Sequence, residues 1–402
     1  MAGWTLWLCF VEACIGLCDK LWSVERKPLS IEPLSEAVCD DLLMEIFSRM
    51  PAECVHECKV AYEDWNTLFS TLYFNYDLFL PRASPTIMVQ QRDSMYQHKL
   101  FYIDDDHRGG LKCTQIPEYN PSGKWLAVDG FAPVRLSCYG LLFLEELYSR
   151  NRMNMPRIVN PVTRGWVHLP LYSYVKGHIC GAYFHPTARE LCVLWVSTWI
   201  TSNLRHVEFK LFRPSNYPKF CWNALSKLKY QPMPYEPPVN LYECLHWMCY
   251  KYEHESAPYI FTQQIMVFCI LKEEFKLMPL VPGAQPSRDK LKLLHLLDLD
   301  GCLSIWELTD VLNIWTLEDY ASWSWTKRYN IEVKLLHKSV NIHEVSVIGC
   351  QNGALVIHWI GKGIFVYHLQ HKNTKKFLFG KLKGNDFTNP FLHTKTPIWP
   401  PF

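Results

Sequence analysis

The chain has 402 residues, 49% apolar and 20% charged, which excludes a long disordered protein and leaves room for one to three folded domains with sizeable cores. Its 41 Lys and Arg nearly balance 39 Asp and Glu, so no net field recruits nucleic acid or an anionic membrane. The 16 cysteines are scattered and form no C-x-x-C pair, and the clusters Cys9/Cys14/Cys18 and Cys54/His56/Cys58 lack zinc spacing. Buried thiols are expected, with no metal and no cofactor.

Residues 1–33 open with MAGWTLWLCFVEACIGLC. This stretch is apolar, but no Lys or Arg precedes it, Glu12 interrupts it, and no small-x-small cleavage site follows. It is short for a membrane span, and the one apparent sequon, Asn120-Pro121-Ser122, is excluded by its proline. A cytoplasmic or nuclear chain is expected.

From Val38 to Phe74 apolar residues recur with a helical period. Leu42, Leu43, Ile46, Phe47 and Met50 share one face, Asp40 is placed to cap the start, and Pro51 stops the helix. A second amphipathic stretch turns Cys58, Ala61, Tyr62, Trp65, Leu68, Phe69 and Leu72 inward. The result is a helical module over 34–76, too small to hold a strong core alone.

A linker with the first strands is expected over 77–100 and a β domain over 101–395. Short apolar runs, including Leu141 to Leu144, Leu191 to Val196, Ile265 to Leu271 and Ala354 to Ile357, alternate there with Gly, Pro, Asn and Asp. An aromatic that follows a strand and a polar turn recurs at Trp166, Trp222, Phe275, Trp325 and Phe377. That interval of roughly fifty residues suits a propeller blade, with the aromatic packed between blades and about six blades in all. A β-sandwich with long insertions is the structural alternative.

The segment VCDDLLMEIFSRMP from Val38, continuing to Trp65 and Phe74, resembles the F-box. Matching positions are Asp41, Leu42, Leu43, Glu45, Ile46, Ser48, Arg49, Pro51, Trp65 and Leu68. Cys39 stands where the family has its leading proline, and Ala61-Tyr62-Glu63 where a Val-Cys-Lys run is usual. The remainder is similar to the F-box-associated domain of plant F-box proteins, a relative of kelch propellers. That similarity is carried by SCYGLLFL at Ser137, IVNPVTRGWVHLP at Ile158, LYECLHWM at Leu241, IMVFCILKEEFKLMPL at Ile265, IWTLEDYASWSWTKRYNI at Ile314 and QNGALVIHW at Gln351.

The resemblance implies an α+β multidomain chain: an N-terminal helical F-box, then an all-β propeller. It implies the substrate-recognition subunit of an SCF-type ubiquitin ligase, non-catalytic itself, with a Skp-family adaptor and cullin complex and an unknown target protein as partners. The implied adaptor contact comprises Leu42, Leu43, Ile46, Met50, Pro51, Val55 and Trp65. The alternatives are an interaction scaffold not coupled to ubiquitination, and a propeller enzyme with copper or converging carboxylates in its funnel.

Other motifs read as structure. DLDGCLSIWE, Asp298 to Glu307, imitates a calcium loop, but Leu296 occupies the first ligand position, so a tight turn at Asp300-Gly301 is expected. His185, His246 and His358 lie in apolar strand surroundings and read as satisfied structural histidines. Target recognition is expected on exposed loops, with Trp195 to Arg205 and Glu318 to Trp323 as candidates.

Overall fold

The computed structural model describes residues 39–92, 98–105, 111–116, 133–145, 156–170, 177–201, 204–216, 222–233, 236–252, 261–281, 294–309, 311–332, 345–377 and 388–398. The apolar segment 1–33 lies outside the described residues. The described residues divide into two compact units, 39–83 with 396–398 and those from 84 to 395.

In the first unit, α1 (Asp40–Phe47), α2 (Ala52–Ala61) and α3 (Glu63–Phe69) precede a π-helical turn over Tyr73–Phe79 and a 3-10 turn over Leu80–Arg82. Asp40 does not cap α1 but begins it. Cys39 holds the cap position in extended backbone without a side-chain bond, while Asp40 and Asp41 place negative charge in the first turn, where the helix dipole favours it. The second amphipathic stretch is likewise not continuous, because Tyr62 is extended (φ −133°, ψ 121°) and separates α2 from α3. The core is an aromatic run: Phe47 stacks on Phe69 at 4.4 Å, Trp65 meets Phe47 edge-on at 5.1 Å, and Phe69 continues to Phe74 at 4.9 Å. Lys59 Nζ donates to the carbonyls of Phe69 (3.5 Å) and Pro397 (3.3 Å), which ties residues 396–398 into this unit. Burial pushes the Lys59 ammonium down to about 8.

The second unit is a six-bladed β-propeller. Strands β1 (Pro85–Arg92), β2 (His98–Asp105) and β3 (Leu111–Gln115) belong to blade one. Blade two contains β4 (Val134–Cys138), β5 (Leu141–Leu144), β6 (Arg157–Val159) and β7 (Trp166–His168). Blade three contains β8 (Gly177–His185), β9 (Glu190–Thr201), β10 (Leu204–Phe212) and β11 (Trp222–Leu228). In blade four, β12 (Gln231–Pro232) and β13 (Val239–Leu241) both pair with β14 (Cys244–Tyr252), which continues into β15 (Phe261–Cys269) and β16 (Glu274–Met278). Blade five contains β17 (Leu294–Leu299), β18 (Cys302–Leu308), β19 (Val311–Asp319) and β20 (Ser324–Glu332). Blade six contains β21 (Val345–Gln351), β22 (Ala354–Trp359), β23 (Gly363–His368) and β24 (Asn373–Phe377). Finally β25 (Thr388–Thr394) returns to pair with β1, from Pro85 opposite Thr394 to Gln91 opposite Thr388, and completes blade one as its innermost strand.

The continuous apolar runs now have a cause. Each blade is buried on both faces, so successive residues of one strand serve different neighbours. In β5, Leu141 and Phe143 pack toward blade three while Leu142 and Leu144 pack toward blade one. In β15, Met266 and Phe268 face blade three, Ile265 and Val267 blade five. Hydrophobic clusters fill all six junctions, the last joining Ile87, Val89 and Ile103 of blade one to Val356 and Ile364 of blade six.

The recurring aromatics fall in the outermost strand of blades two to six: Trp166 and Trp222 open β7 and β11, Phe275 and Trp325 stand second in β16 and β20, and Phe377 ends β24. Trp222, Phe275 and Trp325 each pack against the preceding blade, whereas Trp166 is 39% exposed. A second repeat went unread in the sequence. Trp195, Trp247, Trp306 and Trp359, from the middle strands of blades three to six, are all buried. Trp247 donates its indole N–H to the Cys180 carbonyl of blade three at 2.7 Å. It fits because Gly181 lacks a side chain: a Cβ there would lie 2.9 Å from the Trp247 ring.

Trp247→Ala is expected to cost about 3–5 kcal/mol in urea unfolding followed by circular dichroism, through the cavity it leaves. Trp247→Phe keeps most of the buried area, loses the indole bond, and is expected to cost less than the alanine variant.

Candidate docking surfaces

Helix α1 separates two neighbouring leucines. Leu43 is 3% exposed and Leu42 is 47% exposed, since one residue is about 100° around a helix. Ile46 and Met50, half-buried, follow Leu42 at spacings of four, and Pro51 is exposed. Leu43 and Val55 (0% exposed) belong to the module's core, and Trp65 is half-buried among Phe47, Tyr62 and Phe69. Of the seven residues expected at an adaptor contact, Leu42, Ile46, Met50 and Pro51 therefore offer surface, while Leu43 and Val55 hold the module together. Val60 (74%) and Tyr73 (52%) add exposed apolar surface off the stripe, which the helical period did not mark. Glu45 accepts bonds from Arg49 and from Arg82 (2.8 Å), and these cations hold its carboxyl below the usual range. Arg82 also donates to Ser48 Oγ, so the end of the module is tied to α1.

On the propeller, the turns between first and second strands and between third and fourth strands share one end of the ring, because each blade is an antiparallel meander. Left-handed backbone concentrates there. Tyr139-Gly140, Asp300-Gly301 and Asn352-Gly353 each have two consecutive positive φ angles, the pattern of a two-residue hairpin turn that favours glycine second. Asp298 Oδ1 accepts from Gly301 N at 2.8 Å, so the calcium-like segment is a turn, as expected.

Three left-handed aromatics stand in turns at this end, Tyr139, Tyr242 and Trp323. Tyr242 (φ 54°, 41% exposed) and Trp323 (φ 55°) occupy a conformation unfavourable for bulky residues and flank Tyr320. The Tyr320 ring lies 4.7 Å from Tyr242 and 5.6 Å from Trp323. Trp323 donates its indole N–H to Pro279 O of blade four at 2.9 Å, just as Trp222 donates to Pro170 O of blade two at 2.8 Å. Glu318 to Trp323 thus forms the end of β19 and an aromatic turn. Its Asp319 carboxylate accepts from the Ser322 hydroxyl (2.5 Å) and Ala321 N (2.9 Å), which lowers its pKa. The other candidate, Trp195 to Arg205, is not a loop but a hairpin of β9 and β10. Trp195 is buried between blades two and three, and only the part beyond Ser197, the last residue paired with β8, projects; there Trp199 stacks on His206 at 5.5 Å.

Inside the ring, Arg135 of β4 pairs with Glu145 at 3.2 Å, both 7% exposed, and Glu145 also accepts from Ile179 N at 3.3 Å. Arg135, with His178 and Glu236, borders a recess with room for about one water. His246 places Nδ1 on the Val239 carbonyl (3.2 Å) and Nε2 on the Tyr320 hydroxyl (2.9 Å), so Nδ1 donates and Nε2 accepts. His185 Nδ1 accepts from Ala188 N at 3.1 Å in a turn. Among the described residues no three His, Cys, Asp or Glu side chains are grouped to hold a metal ion, and no helix is long and apolar enough to cross a membrane.

No protein-family description matches the chain. It is 23% identical over 181 residues to a protein of Arabidopsis thaliana named as an F-box protein, a match covering 40% of this chain and 57% of that one. The likeness supports an F-box-like protein, and the chain spans less than two thirds of that relative's length. Among solved structures, TolB from Acinetobacter baumannii aligns at TM-score 0.38 and 7% identity, covering 79% of this chain and 68% of TolB. The β-propeller domain of a trilobed protease from Pyrococcus furiosus aligns at 0.35 and 8%, covering 73% and 81%. The Aleuria aurantia lectin aligns at 0.31 and 10%, covering 79% and 97%. Likeness at this level says nothing about activity.

Burial pushes His178, His246 and His358 down to about 4 and His393 to about 3, so the folded chain binds fewer protons there than the unfolded chain does. Their stabilisation is present above the ordinary histidine range and is lost as pH falls from about 6.5 toward 4. Glu145 opposes them. Burial raises its carboxyl to about 7, against the lowering effect of Arg135, so its contribution is lost as pH rises from about 4.5 to 7. Urea midpoints are expected to fall between pH 7 and pH 5, and more steeply in Glu145→Gln.

Proposed function

We propose that the chain is the substrate-recognition subunit of an SCF-type ubiquitin ligase: the helical module docks on a Skp-family adaptor, and the propeller holds the target protein beside the activated ubiquitin. Its own contribution is proximity, which needs no catalytic residue. The observation that carries this reading is the division of labour along α1, where Leu43 completes a core while the adjacent Leu42, with Ile46, Met50 and Pro51, leaves an apolar stripe for another chain. The Arabidopsis relative named for an F-box supports it. So does a closed propeller that presents aromatic turns on one end. The target's binding is assigned to that turn face, with Tyr242, Tyr320 and Trp323 as the residues to test.

The decisive comparison is between the two leucines. Burying one contributes about 1.5–3 kcal/mol, so Leu42→Asp is expected to weaken co-purification of the adaptor at least tenfold while circular dichroism and the melting curve stay as in the wild type. Leu43→Asp is expected to lose the adaptor together with the module's helical signal. Adaptor binding unchanged in Leu42→Asp, or absent in the wild type, would overturn the proposal. Reconstituted ubiquitination of a captured target separates a ligase subunit from an uncoupled scaffold.

A further inference from the structure

Cys244 begins β14 and Cys269 ends β15, and the two stand directly opposite in the antiparallel register. The adjacent pair, Glu243 and Ile270, exchanges a backbone bond, Ile270 N to Glu243 O at 3.0 Å. Because hydrogen-bonded and non-hydrogen-bonded pairs alternate, Cys244 and Cys269 form a non-hydrogen-bonded pair, whose Cα atoms approach to about 4.5 Å. The Cys269 carbonyl accordingly points the other way, accepting from Glu273 N at 2.8 Å. Directly opposite residues share a face of the sheet, and both thiols join the cluster between blades four and five. The Cys244 and Cys269 side chains interact with each other, and Cys244 also interacts with the Tyr320 hydroxyl. Both are free thiols, Cys244 buried at 7% exposure and Cys269 half-buried. A disulfide needs Cα atoms roughly 4.4–6.8 Å apart, which this backbone supplies without rearrangement.

We infer that Cys244 and Cys269 form a redox-modifiable dithiol, converted to an intramolecular disulfide by low-molecular-weight disulfides such as oxidised glutathione. Cys269, the more accessible sulfur, attacks the disulfide as its thiolate and releases one glutathione thiol, which leaves a mixed disulfide on Cys269. The Cys244 sulfur, giving up its proton to solvent, then attacks the Cys269 sulfur and expels the second glutathione. Two protein thiols are oxidised and one glutathione disulfide is reduced to two thiols.

The test uses the folded full chain, incubated with oxidised glutathione, alkylated with N-ethylmaleimide and mapped by peptide mass spectrometry. The expected wild-type product is a peptide pair linked through Cys244 and Cys269, both of which become alkylatable again after dithiothreitol. Cys244→Ser is expected to retain glutathione on Cys269, since the resolving sulfur is gone. Cys269→Ser is expected to leave the buried Cys244 unmodified. Stable glutathione on Cys269 of the wild type, full alkylation of both cysteines, or a linked peptide that forms only in denaturant would each overturn the inference.

Discussion

Every blade has two apolar faces and must be covered on both. An open row of six such sheets would leave one face of the first and one of the last in water, so the ring is stable only when the last strand is donated back to the first blade. The antiparallel pairing of β25 with β1 makes that closure, and the cluster between blades six and one fills behind it. The alternating packing of β5 and β15, the buried tryptophans, and the glycine that lets Trp247 approach blade three all presuppose a continuous ring.

Polar groups at the blade junctions set which blade meets which. Indole N–H groups of Trp222, Trp247 and Trp323 each reach a carbonyl of the preceding blade, so a rotation or slip between blades would break these bonds and leave the buried Trp247 donor without its acceptor. Arg213 adds a charged bridge: it bonds Glu190 within blade three (2.9 Å) and also Glu273 of blade four, which accepts from Tyr183 at 2.7 Å. Apolar contact supplies most of the adhesion, and these directional bonds supply the registration. Rigid junctions leave variation to the turns.

Much of the architecture was legible in the sequence because double-sided burial leaves a plain mark. LLFL, LCVLWV, IMVFC and ALVI are unbroken apolar runs that match strands, and the outer-strand aromatics reported the blade interval. The repeat of Trp195, Trp247, Trp306 and Trp359 was equally available but hidden by twelve other tryptophans and by strand starts that lack a common turn. The helical unit was harder to read. Apolar period alone cannot separate Leu42 from Leu43, since their roles depend on where the neighbouring helices lie. Nor does it reveal the extended backbone at Tyr62 that breaks the second stretch. The Cys244–Cys269 pairing joins positions 25 apart and required the register.

The attachment of residues 396–398 to the helical unit, through Lys59 and the Pro397 carbonyl, makes that unit discontinuous in the chain. Its helices leave the ribosome ahead of the propeller, and the piece that receives the half-buried lysine is made some three hundred residues later, a delay of tens of seconds at ordinary elongation rates. Until then Lys59 lacks one of its two acceptors, and the strand that seals the ring, β25, lies just before these residues in the chain. A chain truncated anywhere within the propeller therefore carries a helical unit that is itself unfinished.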